Sequence, residues 1–330
     1  MYNGEQLAQA LTVFGLPCVF KEMKQTPRNT IYYFDFTDWN KVTAGRRKTA
    51  LDRLSLYAEH QFNYIDSNIS HFAIYHAEDN YSIIPLFGLA LPADDTYKFI
   101  AGINEDGGQV NISLDEMTHA LIAGTTGSGK SVFLKSFLYS LLTTNSPNKV
   151  KCAIIDKKRS LNYWNRAAHC FKVVNDDVSA IALLNTFQKE MYNRYEELQR
   201  RGLEKNIGLF PKWVLIIDEL ADLMLTDRKA EIENKLVSLC QLGRAAGIHC
   251  VLCTQSPRVA VVSGLIQANT PTKIIFKTAN TRESVLCLGH SGAEKLLGNG
   301  DCLIKLPDRV KDIRIQTPFA SDEDFRNCIE

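Results

Sequence analysis

The chain has 330 residues, 45% of them hydrophobic and 23% charged, with a formal net charge of +1. This is the composition of a globular protein with room for one large domain or two smaller ones, and it excludes a disordered or fibrous chain. The charge balance neither supports nor excludes a nucleic-acid partner, because a local lining of cations is enough to hold one.

Of the nine cysteines only Cys250 and Cys253 stand at C-x-x-C spacing, with no second such pair to complete a metal site. Cys152, Cys250 and Cys253 fall in apolar runs and read as small core residues. No apolar run approaches 18 residues, so no membrane span is expected. The start, MYNGEQLAQA, has neither the basic residues nor the apolar stretch of a secretory signal. A cytoplasmic, reducing setting is expected.

Residues 1–115 read as a small mixed α+β domain. Ile31–Phe36 has the β-branched and aromatic content of a strand. Lys41–Phe62 reads as a helix, with Ala50, Leu51, Leu54 and Tyr57 at helical spacing. Phe72–Tyr75 and Tyr81–Leu86 read as strands around a polar turn at His76–Asn80. Arg46, Arg47 and Lys48 form a basic cluster that suits a solvated face or a partner surface. Thr96–Ile112 contains two strand-like pieces split by Gly107-Gly108. The boundary is expected near Ser113–Thr118, which leaves 116–330 as the second domain.

From His119 onward strands alternate with helices, the pattern of a mostly parallel sheet covered on both faces. The first strand, Ala120–Ala123, runs into Gly124-Thr125-Thr126-Gly127-Ser128-Gly129-Lys130-Ser131. This fits G-x-x-x-x-G-K-[ST], a loop whose glycines turn successive N–H groups inward toward phosphate oxygens. Lys130 is placed to reach the β- and γ-phosphates and Ser131 to bind Mg²⁺. A helix continues through Leu142. Strands follow at Lys151–Asp156 and Phe171–Val174. A long helix capped by Asp176 runs to about Arg201 and buries Ala180, Leu183, Leu184, Phe187, Met191 and Leu198.

Trp213–Ile217 is an apolar strand ending in Asp218-Glu219. After a phosphate loop, such a pair supplies a metal-holding carboxylate, Asp218, and a general base for water, Glu219. This favours hydrolysis of ATP over transfer to a metabolite. Lys229–Ala246 reads as a helix with Ile232, Leu236, Leu239 and Leu242 buried and Arg244 near its end, where an arginine normally offsets terminal carbonyl dipoles. The strand His249–Gln255 follows. Gln255 emerges where a sheet ATPase carries a γ-phosphate sensor, and His249 reads as a core histidine. Lys273–Phe276 is a strand, Thr281–Leu286 a short helix, Cys302–Ile304 a strand and Arg309–Ile315 the last one. The tail from Ala320 is polar and acidic.

Six motifs stand in order: AGTTGSGKS, the strand into Asp218-Glu219-Leu220-Ala221-Asp222-Leu223, GRAAGIH, CTQSP, SGLIQANTPTKI and GAEKLLGNGD. The series closely resembles the motor domain of the FtsK/SpoIIIE DNA translocases over about residues 115–310, and residues 1–115 resemble a short version of that family's small α domain. The resemblance implies a RecA-like P-loop NTPase fold, ATP and Mg²⁺ as cofactors, double-stranded DNA as partner and a homo-oligomer, a hexameric ring. It gives Arg244 the role of an arginine finger acting on the neighbouring subunit's ATP, with Arg194 as the other arginine to consider. Two cations of the family's pore loop are absent, with Ser256 and Gln267 in their places. Arg258, Lys277 and Arg282 are the candidate replacements for DNA contact. The changed loop leaves open a coupling or secretion ATPase of the same superfamily that acts on protein. No counterpart of the family's membrane segments or DNA-reading domain is read here, so a minimal mobile-element or phage version is expected, with a separate membrane or DNA-reading partner.

Overall fold

The computed structural model describes residues 2–25, 29–38, 42–58, 62–65, 71–77 and 84–329. They form two compact units, residues 1–83 with 105–107, and residues 84–104 with 108–330.

The first unit contains α1 (Gly4–Val13), β1 (Cys18–Gln25), β2 (Asn29–Phe36), α2 (Ala44–Tyr57), β3 (Phe62–Ile65) and β4 (His71–Ala77). The strands make an antiparallel sheet in the order β1-β2-β4-β3. Leu7 and Leu11 of α1 and Ala50 and Leu54 of α2 bury against Tyr32, Phe34, Phe72 and Ile74. Asn3 and Thr43 cap the two helices through their side chains, each accepting a bond from an orphan N–H. The expected helix is thus shorter than 41–62, because Phe62 already pairs in β3. Residues 78–83, with the first half of the expected Tyr81–Leu86 strand, lie outside the described residues. Leu86 itself opens a 3₁₀ turn.

The second unit is built on β5 (Lys98–Asn104), β6 (Gln109–Ser113), β7 (Ala120–Ala123), β8 (Val150–Ile155), β9 (Cys170–Val174), β10 (Lys212–Ile217), β11 (Ile248–Thr254), β12 (Thr272–Phe276), β13 (Asp301–Lys305) and β14 (Ile313–Gln316). The sheet order is β6-β5-β14-β13-β12-β7-β11-β10-β8-β9. Pairing is parallel from β12 to β9 and antiparallel on the other side of β12. The helices are α3 (Leu114–Met117), α4 (Lys130–Thr143), α5 (Asp177–Arg200), α6 (Ala221–Met224), α7 (Lys229–Leu242), α8 (Gly264–Asn269), α9 (Thr281–Leu288) and α10 (Asp322–Ile329). Two apolar cores lie against the sheet. One joins α5 and α7 to inward residues such as Leu121, Leu215 and Leu252. The other joins α4 to Ile122, Ile216 and Val251. Neighbouring positions on one strand enter different cores, as the period of two in a strand requires. Every residue of β7, β11 and β12 is buried, which is why these runs are mainly apolar rather than alternating, with His249, Thr254, Thr272 and Lys273 at or near the strand ends.

Two differences from the sequence reading have packing causes. The β5–β6 hairpin, placed before the expected boundary, belongs to the second unit, which begins at Ile84. Its Ile103 and Asn104 pair with Gln316 and Ile315 of β14, and Phe99 meets the Phe137 ring of α4 edge-on at 4.7 Å. The tail from Ala320, read from sequence only as polar and acidic, forms a helix. Ser321 accepts from the Asp324 N–H while the Asp324 carboxylate accepts back, starting α10, and Phe325 is fully buried.

Candidate active site

The parallel strands end in register. Thr254 of β11 lies opposite Ala123 of β7, Ile217 of β10 opposite Leu252 and Ile155, and Ile275 of β12 opposite Ala123. Everything that follows these strands therefore emerges at one edge, where an open α/β sheet binds its ligands.

The loop 124–129 sits at the centre of that edge. The Thr125 N–H and hydroxyl both donate to the Lys277 carbonyl, at 2.8 and 3.1 Å. The Gly300 N–H donates to the Ser128 carbonyl at 2.8 Å. Gly129 has φ +106°, and a Cβ there would come within 2.4 Å of Gly300 N. Only glycine fits that crossing. The loop then feeds the positive end of α4, which opens at Lys130.

Lys130 is 3% exposed. Its ammonium lies 3.4 Å from the Asp218 carbonyl and 3.8 Å from Glu219 Oε2. Glu219 is also tied to β11: its Oε1 accepts from the Thr254 hydroxyl at 2.8 Å, and both its oxygens accept from the Gln255 N–H, at 3.2 and 3.1 Å. The Gln255 side chain reaches back to the loop, its Oε1 accepting from the Thr126 hydroxyl at 3.0 Å. Asp218 is 4% exposed. Burial raises its pKa first, and the nearby Asp156 and Glu219 carboxylates add to this against Lys130 and Lys158.

These residues fit a magnesium-bound triphosphate. The Ser128 hydroxyl is buried without a hydrogen-bond partner among the described residues. Lys130 is a buried ammonium whose ionic partner is a carboxylate that phosphate can replace. The desolvated Asp218 gains from a divalent cation beside it. A second group of possible metal donors, His119, Cys240 and Cys250, fits poorly. His119 Nδ1 accepts the Cys250 N–H at 3.0 Å, so the neutral ring carries its proton on Nε2 and offers no lone pair.

Sequence reasoning missed two contributors. Lys158, three residues beyond the end of β8, places its ammonium 3.4 Å from Glu219 Oε2. Thr254 anchors the same carboxylate. The available signal was a charged or polar residue at the end of an apolar parallel strand, the position from which Asp218 and Gln255 were read.

Arg244 lies at the other end of the sheet. It is exposed, beyond α7 and four residues before β11. The seven residues of β11 separate it from its own phosphate loop by about 20 Å. Arg194 is not a comparable finger. It is 1% exposed and donates to Glu190 and to the Pro211 and Ala246 carbonyls. The three residues read as DNA contacts all follow strands that end at the phosphate-loop edge, Arg258 exposed in the turn after β11 and Lys277 and Arg282 after β12. Lys277 in particular braces the loop through its carbonyl.

The FtsK/SpoIIIE family profile matches residues 94–208 and 204–259. The chain belongs to the FtsK/SpoIIIE family. DNA translocase FtsK of Staphylococcus epidermidis is 37% identical over 254 residues, covering 71% of this chain and 32% of the relative. The chain thus spans about a third of the length of the curated relatives it matches. Among solved structures, the pCW3 conjugation coupling protein TcpA, in its monomer form with ATPγS, has a TM-score of 0.65 at 22% identity, covering 99% of this chain and 98% of that one. The cytoplasmic domain of the Thermomonospora curvata type VII secretion ATPase EccC has a TM-score of 0.61 at 20% identity, covering 73% of this chain and 31% of that one. These likenesses establish the RecA-like P-loop ATPase fold for this FtsK/SpoIIIE chain. Among the described residues no helix is long and apolar enough to cross a membrane.

Proposed function

We propose that the chain is an ATP-hydrolysing motor that translocates double-stranded DNA as a homo-oligomeric, six-membered ring, for DNA transfer or segregation in the cytoplasm. The convergence of Lys130, Asp218, Glu219 and Gln255 at one sheet edge carries the reading. Membership of a family whose relatives are DNA translocases supports it.

The backbone N–H groups of 124–129 and Lys130 bind the phosphates, while Ser131 and Asp218 hold Mg²⁺. The metal neutralises developing phosphate charge when bound. Glu219 takes the proton of the attacking water, oriented by Thr254 and the Gln255 N–H. The Gln255 side chain, already on Thr126, reports on the γ-phosphate. Arg244 has no path to its own nucleotide, so its catalytic role requires a neighbouring subunit, with ATP held between the two. Arg258 is the leading DNA contact, and a separate protein supplies membrane attachment or DNA reading.

A second reading, a coupling or secretion ATPase acting on protein, has one observation in its favour. Gln267, standing where the family has a pore-loop cation, turns its side-chain amide onto the Val262 carbonyl at 3.1 Å rather than offering a charge to phosphate. The deciding test is the steady-state ATPase rate at matched salt without nucleic acid, with long duplex DNA and with single-stranded DNA. Strong stimulation by duplex alone is expected. Indifference to both, in a preparation that forms rings, selects the protein-directed reading.

A further inference from the structure

Glu219 is over-supplied with donors for a base. Its Oε1 accepts from the Thr254 hydroxyl at 2.8 Å, the Gln255 N–H at 3.2 Å and the Ala221 N–H at 3.4 Å. Its Oε2 accepts from the same Gln255 N–H at 3.1 Å and from the Lys158 ammonium at 3.4 Å, with Lys130 at 3.8 Å. A carboxylate offers about four lone-pair sites, and here none is left for a water proton. Glu219 is therefore held in a resting pose, and a donor has to leave before it acts.

The donors differ in how easily they leave. Thr254 is fully buried in the ladder opposite Ala123, and the Gln255 N–H follows directly from it. Lys158 has a fixed root and a free head. The buried Asp156 carboxylate clasps its loop, accepting from the Lys158 N–H at 3.0 Å, the Ser160 hydroxyl at 3.3 Å and the Leu161 N–H at 2.7 Å. The neighbouring Lys157 turns the other way, to Asp177 and the Asp222 carbonyl. The Lys158 side chain is 46% exposed, and it pairs with Glu219. Two ammoniums, Lys130 and Lys158, thus flank one carboxylate oxygen, a pocket that suits an oxygen of higher negative charge.

We propose that Lys158 is a second cation for the terminal phosphate of the nucleotide, acting in cis beside Lys130, and that its departure to that phosphate frees Glu219 Oε2 to accept the water proton. Oε1 stays tethered to Thr254 and Gln255, so the base is released without losing its aim. The proposal rests on the reading of the site as one that binds and hydrolyses ATP.

The test is binding by the whole chain with Mg²⁺ present, comparing ATPγS with ADP for wild type, Lys158→Met and Lys158→Arg. Lys158→Met is expected to weaken ATPγS by about tenfold or more, the range of a charged hydrogen bond, and to leave ADP affinity unchanged. Lys158→Arg is expected to keep most of the preference. Loss of ATPγS and ADP affinity in equal proportion, or of neither, overturns the proposal and leaves Lys158 as a loop residue. The thermal midpoint of each variant shows that it is folded, and the half-exposed side chain makes both substitutions mild. Hydrolysis is read separately. Wild type with a Lys158-dependent ATPγS preference and no ATPase would sink the motor and keep this assignment, whereas an active wild type whose preference ignores Lys158 does the reverse.

Discussion

At the carboxyl edge of β10 and β11, Lys130, Lys158 and Glu219 stand within ion-pair reach, with Asp218 beside them. At the amino edge of the same two strands, Arg194, Lys212, His119 and His249 are as buried as Lys130, Asp218 and Glu219. There each charge or ring is committed to structure. Arg194 ties the chain entering β10 to the chain entering β11 through the Pro211 and Ala246 carbonyls, and stacks near the Phe210 and Trp213 rings. Lys212 pairs with Asp115. His249 Nδ1 meets the Thr118 carbonyl at 2.8 Å. At the carboxyl edge the partners are carboxylates and ammoniums that phosphate and metal can replace. At the amino edge Glu190 and Asp115 are the carboxylate partners, and the rest are backbone groups fixed in the chain, which a ligand does not replace. The lesson is that burial of a charge does not mark function, whereas burial against an exchangeable partner does.

In the proposed ring Arg244 is the exception that links the two edges, and its test carries the largest expected effect. Arg244→Ala should lower the ATPase of the assembled protein by about 10³-fold or more, as loss of an arginine finger does. Mixing it with Lys130→Ala subunits should restore part of the rate. Absence of rescue in proven mixed rings would place Arg244 with the structural residues of its edge. Next comes Glu219→Gln, expected to cost about 10²–10⁴ in hydrolysis while ATPγS binding persists. Lost binding in that variant would remove Glu219 from the role of base.

Arg194→Met sharpens the contrast from the other side. It leaves two carbonyls and Glu190 without their partner, so a loss on the order of 2–4 kcal/mol in unfolding free energy is expected, with nucleotide affinity unchanged in the folded fraction. Asp218→Asn should act oppositely. A carboxylate whose folded pKa is raised binds its proton more tightly in the folded state, so stability is lost as pH rises through that value and the ionised form is a burden at neutral pH. The amide should raise the midpoint of the nucleotide-free protein by roughly 2–4 °C, about 1 kcal/mol for a unit of this size, and abolish Mg²⁺-dependent ATP binding. A lowered midpoint would mean that Asp218, too, is structural.

The smallest effect is a slope. Burial lowers the pKa of His119 to about 3 and of His249 to about 4, from 6.5. As pH falls below about 6.5 the unfolded chain takes up protons first, so stability is full above that value and drains toward pH 4. Thermal midpoints measured from pH 7 to 4.5 should fall, and His249→Gln should flatten the fall. A slope unchanged by that substitution would show that His249 is not buried neutral.

Much of this arrangement was legible in the sequence because it is local. The run Gly124–Ser131 contains its own geometry: glycines where the chain must curl, then lysine and serine where a helix begins. Asp218-Glu219 needs only a strand before it. The long helix announced its cap at Asp176 and its stop at Gly202, and α5 matches both. The structure decided what pairs across distance. Gly300 braces Gly129 through a main-chain approach that no spacing encodes. The 98–113 hairpin joins the large sheet because β14 returns beside it. Lys158 meets Glu219 across 61 residues, and Arg194 is spent on carbonyls while Arg244 stays exposed. A sequence fixes the chemistry available at each strand end and the turns that need it. Which side chains then share an oxygen depends on strand order and register, and those are set by burying both faces of the sheet at once.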